Sequence, residues 1–269
     1  MSALTPGYFS PGNSFIDFLR REAPEQLGFD SAASHISSTG LTGGAGAVPG
    51  GQVAPQATTI VALTYRDGVI MAGDRRATIG QQIASREIEK VFPADAYTAV
   101  GLAGVAGLAI QLVRLYQLEL EHYEKIEGAP LSLQGKANRL AAILRSQLDL
   151  ALRGLAVVPL LAGWDTSPDR TGPRGRVFSY DVTGGSYEER HFTATGSGAV
   201  FAKGSLKKLY RPAGSARGAI RAALTALNDA ADDDTGTGGV DRERAIYPVV
   251  AKIDARGYSR IADAELAKL

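Results

Sequence analysis

The chain of 269 residues contains no cysteine. Disulfides, thiol nucleophiles and thiolate metal sites are therefore excluded. The same absence suits a cytoplasmic protein, although many exported bacterial proteins also lack cysteine. Histidine is scarce as well, with three residues at positions 35, 122 and 191, and nothing in their placement suggests a Ser-His-Asp or Cys-His arrangement. No metal site is expected from these residues.

The sequence also lacks a charge excess and a long apolar run. It has 29 basic and 28 acidic residues, for a formal net charge of +1, which gives no electrostatic reason to expect nucleic acid or an anionic membrane as a partner. No stretch approaches the roughly 20 apolar residues of a spanning helix. The first seven residues have neither the basic nor the apolar region of a secretory signal. We therefore expect an intracellular, cytoplasmic protein with no membrane or nucleic-acid partner.

The composition changes sharply at Thr58. Residues 40–51 contain six glycines, which is typical of a flexible linker, whereas the chain from Thr59 onward is strand-like and then globular to its end. Residues 1–57 are either a tail or a pro-segment that ends at a defined bond, and composition leaves both open. The predicted division is therefore 1–57 and 58–269.

The periodicity after this border predicts an α+β fold. Predicted strands cover 59–65, 69–74, 91–92, 97–100, 157–162, 176–180, 188–192, 245–253 and 258–261. Predicted helices run from about 108 to a break at 128–130, from 132 to 152, from the turn at 196–198 to 209, and from 217 to 231. Strands and helix pairs thus alternate in blocks, which favours two mostly antiparallel sheets between helix layers over a doubly wound sheet.

The glycine-rich run at 101–107 is only loosely similar to a dinucleotide-binding loop. It lacks the full G-x-G-x-x-G pattern, and no ribose-binding acid follows about 20 residues later in a βαβ unit. We therefore expect no nucleotide cofactor.

The most economical hydrolase chemistry available to this chain is an N-terminal nucleophile. If the bond between Ala57 and Thr58 is cut, Thr58 carries both a hydroxyl and a free α-amine. An α-amine has a reference pKa of about 8, which is close to that wanted of a general base at neutral pH. Without cleavage, a threonine here is simply a β-former that opens a strand.

Three further residues would assist such a nucleophile. A cation held by an Asp74–Lys90 pair would lower the pKa of the hydroxyl and discourage protonation of the amine. Gly104 is predicted to begin the first long helix, so its N–H is a candidate oxyanion donor. The alternatives are surface charges at Asp74 and Lys90 and a simple tight turn at Gly104.

These residues lie in a pattern that resembles the β-type subunits of the 20S proteasome core. The matching segments are TTIVAL at 58–63, AGDRRAT at 72–78, Lys90 and GLAG at 101–104, with matching spacing, and the resemblance extends to about residue 262. The long segment before Thr58 and the run LELEHYEK at 118–125 look most like the actinobacterial form. The resemblance implies the four-layer αββα sandwich of N-terminal nucleophile hydrolases.

The resemblance also implies roles for individual residues. Thr58 would be the nucleophile, with its amine as base through a water, Lys90 as the cation held by Asp74, and Gly104 as the oxyanion donor. The residues implied to surround the Thr58 amine are Ser197, Asp234 and Thr237. Those implied to line the substrate pocket are Ala77, Ile88, Leu102 and Ala106, and Thr78 would pair with the substrate backbone. The apolar lining predicts cleavage after large apolar side chains.

At the level of assembly, the resemblance implies two β rings of seven stacked with α-subunit rings around a closed chamber. Actinobacterial relatives are fed by an ATPase activator ring that recognises proteins tagged with a ubiquitin-like modifier. The chain departs from the family at one position, because Ala57 stands where the family usually has glycine. Alanine resists backbone conformations that glycine adopts, so we expect self-cleavage that is slowed but not prevented.

Three alternative functions are open at this point. The chain could be a subunit of the simpler bacterial two-ring protease, which shares the nucleophile, or a non-catalytic structural subunit of the β ring. It could also be a monomeric binding domain. Thr59 is interpreted only as a strand former.

Overall fold

The computed structural model describes residues 58–79 and 82–269, all within one compact unit, Gln52–Leu269. The predictions for residues 1–57, including Ala57 and the glycine-rich stretch, lie outside the described residues. The strands are β1 Thr59–Tyr65, β2 Gly68–Gly73, β3 Ala77–Ile79, β4 Gln82–Ser85, β5 Val91–Asp95, β6 Thr98–Gly104, β7 Val157–Trp164, β8 Gly175–Tyr180, β9 Ser186–Glu189, β10 Phe192–Gly196, β11 Val249–Asp254 and β12 Gly257–Arg260. The helices are α1 Ala106–Glu127, α2 Leu133–Ser146, α3 Leu148–Leu152, α4 Ala199–Leu209, α5 Ala216–Asp233 and α6 Asp263–Leu266.

Two antiparallel five-stranded sheets form the centre of the fold. The first has the order β10-β1-β2-β11-β12 and the second the order β5-β6-β7-β8-β9. The predicted β1–β2 hairpin is present, with Tyr65 opposite Gly68 across the turn at Asp67. The strands β3 and β4, which follow β2 in the chain, form a separate two-stranded sheet.

Alternating side chains of β1 show how the layers are arranged. Ile60 and Ala62 belong to a buried cluster between the two sheets, whereas Val61 and Leu63 belong to the cluster beneath α4 and α5. The cluster between the sheets also contains Met71, Val91, Ala99, Leu160 and Val249. Residues of the second sheet's other face, such as Val100 and Leu161, pack against α1 and α2. The chain is therefore an αββα sandwich, as predicted.

Several predicted elements have different bounds in the structure. The strand predicted at 188–192 is the end of β9 and the start of β10, because the chain leaves the edge of the second sheet at Glu189 and joins the edge of the first at Phe192. The helix predicted at 132–152 is interrupted at Gln147. The strand predicted from 245 begins at Val249, since Ala245 has a φ of 52°, which extended strands do not adopt. The β3–β4 hairpin was not predicted.

Across residues 58–79 and 82–269, none of the helices combines the length and the apolar character needed to span a bilayer.

Candidate active site

Thr58 is buried immediately before β1, at the end of the first sheet. Its carbonyl oxygen accepts a hydrogen bond of 2.9 Å from the backbone N–H of Ser197, which follows β10. Gly196 makes this approach possible, because it has a φ of 99° and a Cβ there would lie 1.9 Å from the Thr58 oxygen. The antiparallel pairing of β1 with β10 thus fixes the position of Thr58.

Asp74 and Lys90 are brought together beside Thr58. Lys90 Nζ donates to Asp74 Oδ1 at 2.7 Å, and both side chains are buried. Asp74 directly follows β2 and Lys90 directly precedes β5, so the pair connects the two sheets. Lys90 Nζ also donates to the carbonyl oxygen of Arg76. The buried Lys90 ammonium is therefore stabilised by the charge of the Asp74 carboxylate and by the dipole of the Arg76 carbonyl.

The environment of Lys90 acts on its pKa in two directions. Burial is the largest effect and lowers the pKa of the Lys90 ammonium below its ordinary value. The charges of Asp74 and, more weakly, Asp234 oppose this, and the nearby Arg76 adds to the lowering. The net result is a lysine that loses its proton more readily than one in water.

Ser197, Asp234 and Thr237 form one hydrogen-bonded cluster. Asp234 Oδ2 accepts from Ser197 Oγ at 2.6 Å and from Thr237 Oγ1 at 2.5 Å. Asp234 directly follows the last residue of α5, and Thr237 lies in the turn that comes next. Ser197 Oγ lies 3.4 Å from the carbonyl oxygen of Thr58. Asp234 therefore links Ser197 to Thr237, and Ser197 connects this cluster, which the resemblance implies around Thr58, to the Thr58 backbone.

A pocket opens beside Thr58. Its lining includes Thr58, Lys90, Gly104 and all four predicted pocket residues, Ala77, Ile88, Leu102 and Ala106. It also includes residues that the sequence did not single out, namely Glu89, Phe92, Ala109 and Ile110. Glu89 pairs with Arg260 at 2.5 Å, so its charge has a partner, and the other three added residues are apolar. Thr78 is not among the lining residues and lies on β3 opposite Ile83.

The predicted position of Gly104 at the start of a helix is wrong. Gly104 is the last residue of β6, and α1 begins two residues later at Ala106. Its φ is 116°, and a Cβ would lie 2.1 Å from the carbonyl oxygen of Ala156, so only glycine fits. The left-handed conformation of Gly104 turns the backbone away from the direction of β6. Gly104 lines the same pocket as Thr58.

Two residues of this region carry contacts that the sequence analysis missed. Thr59 donates its backbone N–H to Asp74 Oδ1 at 2.8 Å and contacts Thr237 with its hydroxyl. Arg76 donates its backbone N–H to Asp74 Oδ2 at 2.8 Å and a guanidinium N–H to the carbonyl oxygen of Thr235. The only sequence signals were the paired threonines and the paired arginines, and both patterns are common at strand ends.

Comparison with known proteins gives a consistent result. The family model for the proteasome subunit matches residues 54–242. A protein of Jonesia denitrificans, named proteasome subunit beta, is 55% identical over 266 residues, covering 97% of this chain and 81% of its own length. A protein of the same name from Acidothermus cellulolyticus is 52% identical over 259 residues, covering 95% and 84%. With this similarity and the αββα sandwich, the chain belongs to the proteasome subunit family, among relatives of the β type.

Proposed function

We propose that this chain is a threonine endopeptidase subunit of a proteasome core and that Thr58 is its nucleophile. The observation that carries the proposal is the pocket in which Thr58, Lys90 and Gly104 meet, with Lys90 held on Asp74. In this pocket a hydroxyl, a buried cation and a backbone turn border the space that a peptide would occupy. Acyl transfer requires a nucleophile, a group that activates it and an N–H donor for the oxyanion, which Thr58, Lys90 and Gly104 would supply.

Activation would begin with cleavage of the bond between Ala57 and Thr58, which removes residues 1–57. The Thr58 hydroxyl attacks the Ala57 carbonyl carbon and its proton passes to the Thr58 nitrogen, so that the C–N bond breaks and the acyl group moves from nitrogen to oxygen. Water then hydrolyses the ester, which releases the pro-segment and leaves Thr58 with a free hydroxyl and a free amine. The contact of Lys90 with Asp74 supports this step, because a cation near the hydroxyl favours its deprotonation.

Peptide hydrolysis would use the same groups in mature form. The Thr58 amine takes the hydroxyl proton through a water, and the oxygen attacks the scissile carbonyl. The N–H of Gly104 would stabilise the oxyanion; the scissile C–N bond then breaks, and the leaving amine takes the proton held by the Thr58 amine. Water would finally hydrolyse the acyl-enzyme and restore the Thr58 hydroxyl. Ser197, Asp234 and Thr237 would hold the amine, a role supported by their mutual hydrogen bonds beside the Thr58 carbonyl.

The substrates would be unfolded proteins, cut after large apolar residues. The support is the mainly apolar pocket wall formed by Ala77, Ile88, Leu102 and Ala106 together with Phe92, Ala109 and Ile110. Thr78, outside the pocket lining, would pair with the extended substrate backbone along β3.

The family implies assembly with α subunits into a proteasome core. Beyond that, we infer β rings of seven stacked with α rings, an ATPase activator ring, and substrates tagged with a ubiquitin-like modifier, in the cytoplasm. The support for these finer points is the resemblance of the sequence to the actinobacterial form.

The decisive experiment replaces Thr58 in the core assembled with α subunits. Thr58→Ala is expected to abolish hydrolysis of a fluorogenic peptide with a large apolar residue before the scissile bond, because no hydroxyl remains to attack. Thr64→Ala is the matched control, since it removes a hydroxyl from the far end of β1 and should leave activity unchanged. Full activity of Thr58→Ala would instead show that Thr58 is not the nucleophile.

A further inference from the structure

Thr59 is completely buried. It lies between the Asp74–Lys90 pair and the Ser197–Asp234–Thr237 cluster of the candidate active site. Its backbone N–H donates to Asp74 Oδ1 at 2.8 Å, on the side of Lys90. Its hydroxyl oxygen lies 2.5 Å from Thr237 Oγ1 and accepts from the backbone N–H of Gly198 at 2.9 Å. One residue beside the nucleophile therefore contacts both the Asp74–Lys90 pair and the Ser197–Asp234–Thr237 cluster.

The direction of the hydrogen bonds around Thr59 follows from the number of protons available. A carboxylate oxygen only accepts, so the proton of Thr237 Oγ1 is directed to Asp234 Oδ2. Thr237 Oγ1 must then accept from Thr59, whose own oxygen accepts from Gly198 N–H. The result is a directed chain from Gly198 through Thr59 and Thr237 to Asp234, and such chains strengthen their members.

The backbone at Gly198 packs closely against the hydroxyls of Thr59 and Thr237, so this series of hydrogen bonds has no room to rearrange. A Cβ at position 198 would lie 2.6 Å from Thr59 Oγ1 and 2.7 Å from Thr237 Oγ1, so glycine is required for the backbone to approach both hydroxyls. Thr237 is also completely buried. Without the Thr59 hydroxyl, the Gly198 N–H would lose its acceptor and Thr237 would lose its donor, in a place where both threonine residues are completely shielded from solvent.

We propose that Thr59 is a positioning residue whose hydroxyl, through Thr237, holds Asp234 and Ser197 in place beside Thr58. This inference rests on the proposed function of Thr58. Thr59 touches no reacting atom in this scheme; it fixes the orientation of the carboxylate that in turn orients the Ser197 hydroxyl. If Thr59 is instead only a strand former, its β-branched shape is needed and its hydroxyl is not.

The two interpretations are separated by Thr59→Val, which keeps the β-branched shape and removes the hydroxyl. In the assembled full-chain core, with mature subunits counted by intact mass, we expect kcat to fall about tenfold and KM to stay within about twofold. Thr59→Ser keeps a hydroxyl and should retain at least about half of kcat. Thr98→Val is the matched control, because it removes a completely buried threonine hydroxyl that donates to Asp95, far from the site, and should leave kcat unchanged.

The proposal is overturned if Thr59→Val retains the kcat of the parent chain, or if Thr59→Ser loses as much as Thr59→Val. It is equally overturned if Thr98→Val lowers kcat as far, since the loss would then follow from any buried hydroxyl. A parallel Thr58→Ala core separates this failure from that of the proposed function. If Thr58→Ala keeps its activity, the nucleophile assignment has failed; if it is inactive and Thr59→Val is normal, only the positioning role has failed.

Discussion

Asp74 accepts two hydrogen bonds on each carboxylate oxygen. Oδ1 accepts from Thr59 N–H and Lys90 Nζ, and Oδ2 accepts from the backbone N–H groups of Arg76 and Gly238. A carboxylate is the only side-chain group of this size that can accept on both sides. Asp74 therefore acts both as the counter-charge for Lys90 and as the junction of three chain segments.

Asp74→Asn should shift the alkaline limb of the pH–activity profile to lower pH. Burial already lowers the pKa of Lys90 and Asp74 opposes it, so removing the Asp74 charge lets the pKa of Lys90 fall further. If hydrolysis needs the ammonium, activity is then lost at a lower pH, and kcat/KM at neutral pH should also drop by about 10²-fold or more. Both are measured as kcat/KM against pH.

The control for this prediction is Asp254→Asn, which removes a carboxylate that pairs with Lys252 at the far end of β11. Its alkaline limb should coincide with that of the parent chain. An Asp74→Asn core whose alkaline limb did not move would contradict the assignment of that limb to Lys90.

At the residue scale, the sequence offered Asp74 and Lys90 as a candidate pair because a nearby cation assists an N-terminal nucleophile, and the family resemblance gave both residues their roles. It could not predict the hydroxyl contact of Thr59, because its partner Thr237 lies 178 positions away. Alternation of side chains assigns a residue to a face of a strand, but not to a partner on a distant loop.

At the scale of elements, apolar runs located the strands better than they located helix faces. The leucines at positions 108, 112, 115, 118 and 120 follow a helical period, which predicts that they share one apolar face of α1. Leu112 and Leu120 are buried as predicted, whereas Leu118 is 62% exposed. The buried face combines Leu112 and Leu120 with the smaller or aromatic residues Ala109, Val113 and Tyr116. The leucine positions alone therefore misplaced the buried face of α1, because alanine and tyrosine also face the core.

The turn between β10 and α4 provides a test of strand pairing. Gly196→Ala places a Cβ 1.9 Å from the Thr58 oxygen at a φ of 99°, so β10 can keep its place beside β1 only with strain. We expect the free energy of unfolding to fall by about 2 kcal/mol or more. Thermal unfolding of the purified full-length chain measures this.

Gly218→Ala is the matched glycine control for this test. Gly218 lies in the first turn of α5, where an added Cβ meets nothing closer than 3.4 Å, and alanine there should leave stability unchanged or raise it by about 0.5 kcal/mol. Equal melting temperatures for the two variants would show that the close approach of Gly196 to Thr58 does not constrain the fold.

At the scale of the whole molecule, the candidate site draws on both sheets. Thr58 and Asp74 flank β1 and β2 of the first sheet, whereas Lys90 and Gly104 flank β5 and β6 of the second. The sandwich could be predicted as a class from the block order of strands and helices. Which strand ends meet across the two sheets could not be worked out from periodicity, because long-range register leaves no local signal, and only the family resemblance supplied it.

This arrangement has a consequence for maturation. The Asp74–Lys90 pair and the Ser197–Asp234–Thr237 cluster both lie beside Thr58. If self-cleavage uses these groups, its rate should depend mainly on how well the Ala57 carbonyl can be presented to the Thr58 hydroxyl. Glycine at position 57 would reach the required backbone conformation more easily than alanine.

We therefore expect Ala57→Gly to speed removal of residues 1–57 by about fivefold, the rate equivalent of roughly 1 kcal/mol of backbone strain. The measurement is intact mass at successive times after mixing the purified chain with α subunits. Ala54→Gly adds the same backbone freedom three residues earlier and should leave the rate unchanged. Equal acceleration by both variants would attribute the effect to a looser segment, and no acceleration by Ala57→Gly would show that presentation of this carbonyl does not limit maturation.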